Sequence, residues 1–468
     1  MRKTKIVCTL GPASRDPKTI RKLMGLVDVF RINFSHGDRQ SHLEDIRAIR
    51  NQARKNKKTV AILQDLPGPK IRVGRIAGGS VDLARGAQIV LTKDDVEGNA
   101  DRISLNYPDL LNSVKKGNIL HLADGIIKLK VEDANEGEVR CTVVAGGTLS
   151  SGKGVNAPGV KFKVEYPTAK DVVHISFGLR QGVDYIAASF VRSAADLRTI
   201  RRLIPGGGPS LIAKIEKREA IEDFDSILEE ADGIMVARGD LGIEVPIQTV
   251  PILQKKIIKK CNESGKPVIV ATQMLVSMVN FPVPSRAEVT DVSNAILDGT
   301  DAVMLSDETT VGKYPVESVR MLDKIARYTE GSVQSAPLVP AAEVMSETGE
   351  AIGRAACMLA DYVGAKAIVA PTQTGWTARR VAMFRPRQPI IAICTDSQTA
   401  RRLKLYRGVI PIVSKQAKTV DWLFERADIA AYELGFAKKG EKIVVTSGTP
   451  GLMGTTNVVK VSVVGSRA

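Results

Sequence analysis

Apolar residues along the first two thirds of the chain cluster in short runs, and between many of these runs they recur every three or four positions. Short apolar runs are typical of buried strands, and the wider spacing is typical of amphipathic helices. Their alternation predicts an α/β fold built as a (β/α)8 barrel. The predicted strands are Lys5–Leu10, Val27–Asn33, Thr59–Leu66, Tyr185–Phe190, Ser210–Ile215, Gly233–Ala237, Pro267–Thr272 and Ala302–Leu305. Predicted helices include Pro17–Met24, with Asp16 before its first turn, Ser41–Asn56 and Arg218–Glu230.

Two stretches depart from this alternation. Residues 67–163 are rich in Gly and Val, lack helical periodicity and contain short strands separated by turns. They predict a small β-barrel domain, inserted through the Pro67-Gly68-Pro69 elbow and placed as a lid over the barrel mouth. A second α/β pattern follows a linker at 331–340. The predicted domains are therefore a barrel of residues 1–66 and 164–338, a lid of 67–163 and a C-terminal regulatory domain of 339–468.

The C-terminal domain is predicted to contain four strands and at least two helices. The predicted strands are Ala367–Pro371, Pro389–Thr395, Val409–Val413 and Lys442–Ser447, and the predicted helices are Ser346–Leu359 and Ala378–Phe384.

Composition narrows the class of protein. A chain of 468 residues is too long for one core. Its net charge of +16 would suit a nucleic-acid-binding protein, but the basic residues are spread along the whole chain and aromatic residues make up only 4%. We therefore expect a diffuse positive field that attracts small anionic substrates, and no nucleic-acid partner.

The sequence also predicts where the protein works. No run of about 18 apolar residues is present, so no membrane partner is expected. The chain begins without an apolar leader, and its five cysteines are scattered without metal-binding spacing. These features predict a protein of the reducing cytoplasm. The four histidines show no zinc spacing either.

The stretch from Lys214 to Gly242 carries the strongest chemical pattern. Lys214 and Glu216 are two residues apart at a strand end, so they project to the same side. Asp240 follows the next strand in a predicted Gly-Asp-Leu-Gly turn, which a βαβ unit would place beside them. Two carboxylates suit Mg²⁺, and the ammonium suits a phosphoryl group. The alternative is a surface Lys–Glu pair with an ordinary turn aspartate.

Other polar residues also follow predicted strands. Arg31, Asn33 and Ser35 share one face after the second strand, and Arg31 suits phosphate recognition. Asp65 ends the third strand, ahead of Lys70 and Arg72 at the lid hinge. The alternative for the first set is a polar strand end that caps the next helix.

A structural role is also considered for Thr272 and for the pair Ser285 and Glu288. Thr272 at the seventh strand end could bind an oxyanion or simply cap a helix. Ser285 and Glu288 are interpreted as a helix start whose pairing is structural.

Two loops of the C-terminal domain predict an anion site remote from the barrel mouth. Thr372–Thr377 precedes a helix, and Ser447–Thr455 is Gly-rich and follows a strand. Such loops also occur as purely structural turns, and neither is a Walker A or dinucleotide fingerprint.

The motifs that carry these residues resemble the pyruvate kinase family, in the same order along nearly the whole chain. They are KTKIVCTLGPAS at 3–14, RINFSHG at 31–37, GPKIR at 68–72, IAKIE at 212–216, IMVARGDLG at 234–242, ATQML at 271–275 and NAILDGTD at 294–301. The resemblance implies Mg²⁺-dependent phosphoryl transfer from phosphoenolpyruvate to ADP, giving pyruvate and ATP in glycolysis. It also implies a homotetramer, with the barrel, lid and regulatory domain of that family.

The resemblance also implies a role for each matching residue. Lys214, Arg31 and Thr272 are expected to be catalytic. The substrate contacts are Arg31, Lys214, Gly239, Asp240 and Thr272; the Mg²⁺ ligands, with Mn²⁺ as a substitute, are Glu216 and Asp240. The nucleotide contacts are Asn33, His36, Arg72 and Lys153; the monovalent-cation cluster is Asn33, Ser35 and Asp65. The effector contacts are Thr372, Thr374, Gly375, Thr377 and Gly451.

Lys70 changes the expected ion requirement. Lysine at this position, beside Leu66, Pro67 and Val73, resembles family members that do not need K⁺. We expect the Lys70 ammonium to lie near Asp65 and replace K⁺. Trp376 stands where some members have an arginine, which makes a phosphorylated effector other than fructose bisphosphate the expectation. Val276, Leu305-Ser306-Asp307 and Ala123 also depart from the usual pattern, without removing a named catalytic group.

Two other functions fit part of the pattern. A basic nucleic-acid-binding protein would bind duplex or RNA with a steep dependence on salt. A barrel aldolase or mutase would share Glu216 and Asp240, but it would not need the lid or Arg72.

The sequence does not identify the donor that protonates the enolate; Thr272 acting through water is one candidate.

Overall fold

The structure is a computed structural model that describes residues 1–135, 137–161, 164–332, 347–415, 419–448 and 456–465. It begins with three buried strands separated by two helices. They are β1 Lys5–Thr9, α1 Pro17–Leu23, β2 Val29–Asn33, α2 Arg39–Lys55 and β3 Ala61–Asp65. The Asp16 carboxylate accepts hydrogen bonds from the backbone N–H groups of Lys18 and Thr19, which confirms the predicted start of α1.

The insertion after β3 is a small β domain with its own apolar core. Its strands are β4 Ser80–Leu83, β5 Gln88–Thr92, β6 Arg102–Ser104, β7 Ile119–Leu122, β8 Ile127–Asn135, β9 Glu138–Ala145, β10 Gly147–Ser150 and β11 Val155–Asn156. They form a six-stranded sheet of order β11-β7-β8-β9-β5-β6 and a ribbon of β10 with β4. One helix, α3 Pro108–Ser113, was not predicted, because its single turn is too short to show a helical period.

The chain then returns to the barrel. Its remaining strands are β12 Tyr185–Ala188, β13 Ser210–Ile215, β14 Gly233–Ala237, β15 Val268–Ala271 and β16 Ala302–Leu305. Its helices are α4 Ala169–Gln181, α5 Ala194–Leu203, α6 Arg218–Glu222, α7 Phe224–Glu230, α8 Arg238–Glu244, α9 Val250–Glu263, α10 Arg286–Leu297, α11 Asp307–Thr310 and α12 Pro315–Ser332.

Two local predictions in this region were wrong. The single helix predicted at Arg218–Glu230 is two helices that meet at Asp223, whose carboxylate accepts the Ala194 N–H at 2.9 Å. The predicted Gly-Asp-Leu-Gly turn is instead part of α8, so Asp240 lies in the first turn of a short helix. The capping pair predicted at Ser285 and Glu288 is confirmed as a capping box at the start of α10.

The eight parallel strands close into a barrel of order β1-β16-β15-β14-β13-β12-β3-β2, which confirms the predicted fold. One apolar cluster fills the interior with side chains such as Val7, Tyr185 and Met304. A second, larger cluster packs the outer strand faces against the helices. Both faces of each strand are therefore buried, which explains why the strands appear as continuous apolar runs.

The C-terminal domain is a five-stranded sheet flanked by helices. Its elements are α13 Thr348–Tyr362, β17 Ile368–Thr372, α14 Trp376–Met383, β18 Ile390–Cys394, α15 Ser397–Arg402, β19 Val409–Val413, α16 Val420–Glu433, β20 Lys442–Gly448 and β21 Thr456–Val463. The strand order is β19-β18-β17-β20-β21, with β21 antiparallel to β20. The sequence missed β21, whose apolar residues are interrupted by polar ones and follow the Gly-rich loop.

The predicted domain boundaries stay predictions, and residues 163 and 338 lie outside the described parts of the chain. Within those parts, no helix combines the length and the apolar character that a membrane crossing requires.

Candidate active site

Lys214 lies at the centre of the polar cluster at the barrel mouth, at the carboxyl end of β13. Its Nζ is 2.7 Å from Ser189 Oγ, 2.9 Å from Glu216 Oε1 and 3.2 Å from Asp65 Oδ1. Burial alone would lower the pKa of Lys214, but the Asp65 and Glu216 carboxylates outweigh it and raise the pKa above its ordinary value. The side chain is therefore a buried, permanently charged ammonium.

Arg31 supplies a second cation from β2, which pairs with β3, the strand that ends in Asp65. Its Nε donates to Asp65 Oδ2 at 2.6 Å and its Nη1 donates to Thr9 Oγ1 at 3.0 Å. Burial would raise the pKa of Asp65, but Lys214 and Arg31 lower it below its usual range. Asp65 thus stays ionised and fixes the positions of both cations.

Glu216 and Asp240 provide two carboxylates at adjacent strand ends. Glu216 Oε2 accepts the Phe190 N–H at 2.7 Å. Burial raises the pKa of Glu216, Lys214 lowers it, and the Asp240 charge raises it again, leaving the pKa above its ordinary value. A buried carboxylate whose ionisation is disfavoured in this way is stabilised by a nearby cation.

These two residues fit a divalent metal ion. Hard carboxylate oxygens are the ligands that Mg²⁺ and Mn²⁺ prefer, and Mg²⁺ commonly takes one or two of them from the protein. Within the described residues, no cluster of three or more His, Cys, Asp or Glu side chains has metal-binding geometry. The remaining ligands would accordingly come from water and substrate.

Lys70 departs from its expected position. Its Nζ is 3.3 Å from Asp240 Oδ1, whereas Asp65 forms its ion pairs with Arg31 and Lys214. Lys70 therefore forms its ion pair with Asp240 and not with Asp65. A side-chain carbon added at Gly154 would lie 2.9 Å from Lys70 Cε, so this glycine leaves room for the lysine to reach Asp240.

The other members of the predicted monovalent-cation cluster lie at the end of β2. Asn33 Oδ1 accepts the Ser35 N–H at 3.1 Å, so these two residues are held in a local turn. Asn33 and Asp65 are paired neighbours in the barrel sheet. The structure thus brings the three residues to one edge of the mouth.

Thr272 ends β15 in a left-handed backbone conformation, with φ of 65°. This conformation is strained for a β-branched residue. Its Oγ1 accepts the Gly239 N–H at 2.9 Å and donates to Ala271 O at 2.6 Å. Thr272 therefore lies beside Gly239 and Asp240, on the same side of the mouth as the proposed metal ligands.

The predicted nucleotide contacts lie on the lid and at the end of β2. Arg72 Nη1 donates to Gly152 O at 2.8 Å, beside the exposed Lys153. Partial burial, followed by the charges of Arg72 and Arg31, lowers the pKa of the exposed His36. The guanidinium groups of Arg31 and Arg72 therefore both act on His36 at this edge of the mouth.

The predicted effector loop surrounds the start of α14. Gly375 precedes the helix with φ of 84°, and the buried Thr377 hydroxyl is 2.9 Å from that of Thr456. Thr372 is buried at the end of β17, whereas Thr374 is exposed. Gly451 lies outside the described residues.

Several residues of the site were missed or left without a role. Ser189 lies within the predicted strand Tyr185–Phe190 and was given no role, yet it holds Lys214 and also donates to Asp65 Oδ1 at 3.2 Å. Glu308 is buried and accepts the N–H groups of Leu275 and Ser306. Arg238 donates to Thr272 O at 2.7 Å and pairs with Asp291. Arg238 directly follows β14, and this position could have identified it as a residue of the mouth.

A closed parallel barrel with this cluster at its carboxyl end defines an enzyme of the (β/α)8 class that acts on anionic substrates. The family described as "Pyruvate kinase, barrel domain" matches residues 1–319, and "Pyruvate kinase, alpha/beta domain" matches residues 350–462. The chain belongs to the pyruvate kinase family, and it is a phosphotransferase.

Curated relatives match over nearly the whole chain. The pyruvate kinase of Sporosarcina psychrophila is 44% identical over 474 residues, covering 99% of this chain and 81% of the relative. That of Geobacillus stearothermophilus is 46% identical over 472 residues, covering 99% and 80%. That of Bacillus licheniformis is 44% identical over 473 residues, with coverage of 99% and 81%.

Proposed function

We propose that the protein transfers the phosphoryl group of phosphoenolpyruvate to ADP, giving pyruvate and ATP, with Mg²⁺ as its cofactor. The observation that carries this proposal is the buried Lys214 ammonium beside the Glu216 carboxylate, in a mouth that also holds Arg31 and Asp240. Phosphoryl transfer depends mainly on positioning and on neutralising charge. Fixed cations in a buried site serve both purposes.

Each side chain has a defined task in this proposal. Arg31 and Lys214 hold the phosphoryl oxygens, and Asp65 keeps both cations in place. Gly239, Asp240 and Thr272 orient the substrate carboxylate. Glu216 and Asp240 hold the divalent cation, which when bound supplies positive charge to the anionic substrate oxygens. Asn33, His36, Arg72 and Lys153 contact the nucleotide.

Protonation of the enolate requires a donor near the substrate methylene carbon. The Thr272 hydroxyl donates to Ala271 O, so it would have to turn from this carbonyl before it could pass a proton. We propose that it does so through a water molecule, with the Gly239 N–H holding the hydroxyl oxygen at the mouth.

A coupled assay of pyruvate formation tests the proposal. We expect turnover with phosphoenolpyruvate, ADP and Mg²⁺, loss of turnover with a chelator, and recovery with Mg²⁺ or Mn²⁺. An aldolase or mutase would convert a related oxo acid without ADP, and it would show no ADP binding by calorimetry. Absence of pyruvate with all three components present would contradict the proposed reaction.

We also propose that the enzyme does not require K⁺. Lys70 provides a tethered cation at the mouth, although on Asp240 rather than on Asp65. The anionic groups of a bound substrate would therefore find a fixed positive charge at the mouth without K⁺. Activity in tetramethylammonium buffer should match that in K⁺ buffer, and strong activation by K⁺ would contradict the proposal.

A phosphorylated effector is proposed to bind the loop from Thr372 to Thr377, including Thr374 and Gly375, together with Gly451. The support is the Gly375 turn before α14, where no side chain caps the first backbone N–H groups of the helix. Titration with fructose 1,6-bisphosphate, ribose 5-phosphate, glucose 6-phosphate and AMP tests the site. A response to none of them would leave the loop with a structural role only.

We propose a cytoplasmic homotetramer. All five cysteines are free and buried, as suits a reducing compartment. Ile247, Phe281 and Val283 are exposed apolar side chains that a second copy would cover. Sedimentation velocity should give the mass of four chains; a monomer at micromolar concentration would contradict this assembly.

A further inference from the structure

A cavity of about 280 Å³ lies between the barrel and the C-terminal domain, away from the strand ends that form the mouth. On the barrel side, its wall is the end of α5, the loop Gly206–Pro209 and Asp232. On the C-terminal side, it is lined by Arg379 on α14, Arg402 at the end of α15 and Tyr406. Its volume is close to the lower end of the range for small-molecule sites.

The charges that line this interdomain cavity are unbalanced. It has three guanidinium groups, from Arg201, Arg379 and Arg402, but a single carboxylate, from Asp232. Asp232 Oδ2 is 2.7 Å from Arg201 Nη1 and also accepts the Leu211 N–H at 2.7 Å. Arg201 is therefore neutralised, and two cations face the cavity beside it.

Arg402 reaches across the domain junction without meeting a carboxylate. Its Nη2 donates to Gly207 O at 2.5 Å and to Gly208 O, and its buried Nε has no hydrogen-bond partner. The Arg402 charge lowers the pKa of Asp396 at longer range, but among the described residues no carboxylate lies within ion-pair distance of Arg402. The two carbonyl groups hold the guanidinium in position without neutralising its charge, so Arg402 brings a fixed cation to the cavity wall.

Arg379 is the second uncompensated cation. The Tyr406 hydroxyl beside it raises the pKa of this guanidinium, against the effect of burial. Among the described residues, Arg379 has no ion pair with a carboxylate, although Asp232 adds a favourable charge at longer range. Two arginines in a partly enclosed cavity repel each other, and an anion between them would relieve that repulsion.

We propose that this interdomain cavity binds a small metabolite bearing a phosphate monoester, held between Arg379 and Arg402. Guanidinium groups match the oxygens of phosphate in forked geometry and remain charged. The cavity and the effector loop share Thr374. They differ at Thr377, which forms a hydrogen bond with Thr456 and is not part of the cavity wall. Because the two domains form opposite walls, the ligand would favour the docked arrangement of the domains.

Calorimetric titration of the full-length enzyme with ribose 5-phosphate and with inorganic phosphate tests the site. We expect Arg379→Gln to weaken ribose 5-phosphate binding by at least about tenfold, and Arg379→Lys to restore part of it. The matched control is Arg387→Gln, which removes an exposed arginine of the same domain and should change the affinity by less than about twofold. Tighter binding of ribose 5-phosphate than of inorganic phosphate would support a sugar phosphate as the ligand.

Three results would overturn the proposal. They are the absence of binding at millimolar ribose 5-phosphate, equal affinity in the parent and in Arg379→Gln, and loss of binding in Thr377→Val with Arg379→Gln unaffected. The last result would place the anion in the effector loop. Arg402→Lys provides a second variant should Arg379→Gln fold poorly, and it too should weaken binding, because lysine lacks the forked N–H pair.

Discussion

At the scale of single residues, the buried ammonium of Lys214 connects three groups from three strands: Asp65, Ser189 and Glu216. Its charge is held in place before substrate arrives, so little reorganisation is needed during the reaction. The paired carboxylates keep it protonated, which suits a group that stabilises charge rather than one that accepts a proton.

Lys214→Met should reduce kcat by about 10²–10³ or more, because one preorganised charge is lost from the transition state. Binding of phosphoenolpyruvate should be largely preserved, since Arg31 remains. Steady-state kinetics and calorimetric binding measure the two effects separately. Lys170→Met, at an exposed position on α4, is the control and should be unchanged. Near-normal turnover in Lys214→Met would contradict the catalytic role.

Lys70→Glu tests the tethered cation. The substitution removes a positive charge 3.3 Å from Asp240 and adds a negative one, so it changes the mouth by two charges. We expect kcat/KM in K⁺-free buffer to fall by about tenfold or more, and added K⁺ to restore part of it. Lys70→Gln should give a smaller loss. Equal activity of Lys70→Glu and the parent without K⁺ would indicate that Lys70 has no role in substrate binding.

At the scale of secondary-structure elements, α2 and α4 pack through an aromatic cluster on the outside of the barrel. The His42 ring stacks on Phe34 with centroids 4.0 Å apart, and His174 contacts the edge of Phe34. Burial, with the His174, Arg15 and Lys170 charges, lowers the pKa of His42 from its ordinary 6.5 to about 4, and Asp38 opposes this shift. The packed imidazole is therefore neutral.

This cluster should make stability depend on pH. Below pH 6.5 the unfolded chain binds a proton at His42 that the folded protein does not bind until about pH 4. The free energy of unfolding should therefore fall by about 3 kcal/mol as the pH drops through that window. His42→Phe, which keeps the stacked ring, should reduce this acid-side loss in urea unfolding. An identical pH profile for His42→Phe and the parent would contradict the prediction.

At the scale of the whole molecule, several ion pairs join the barrel to the C-terminal domain, and the pair of Arg385 with Asp301 is the most completely buried of those between described residues. Asp301 accepts both Arg385 Nη1 and Nη2 at 2.8 Å, and it also accepts the backbone N–H groups of Val268 and Arg407. Both charged side chains are only 4% exposed. Removing one partner would leave a buried charge without compensation.

Asp301→Asn should lower the free energy of unfolding by about 3–5 kcal/mol, and Arg385→Met should have a comparable effect. Scanning calorimetry should show the C-terminal domain unfolding at a lower temperature than the barrel. Glu222→Gln breaks an exposed pair with Arg218 and should cost less than about 1 kcal/mol. A loss in Asp301→Asn no larger than in this control would show that the ion pair does not hold the domains together.

The sequence by itself determined the barrel and the identity of most mouth residues. Strand runs buried on both faces are a local pattern, and the residue after each run must lie at the carboxyl end of the barrel. Lys214, Glu216 and Asp65 could therefore be placed at the mouth from their positions alone. The start of α1 was equally local, because Asp16 bonds to the next turn of its own helix.

Only the tertiary structure decided which partner each long side chain meets. Lys70 pairs with Asp240, not Asp65, because its flexible chain crosses the mouth where Gly154 leaves room. Asp223 separates two helices, and its carboxylate accepts the Ala194 N–H. Arg379 and Arg402 line one cavity, although α14 and α15 belong to different strand connections. These arrangements depend on residues far apart in sequence, and local periodicity contains no information about such contacts.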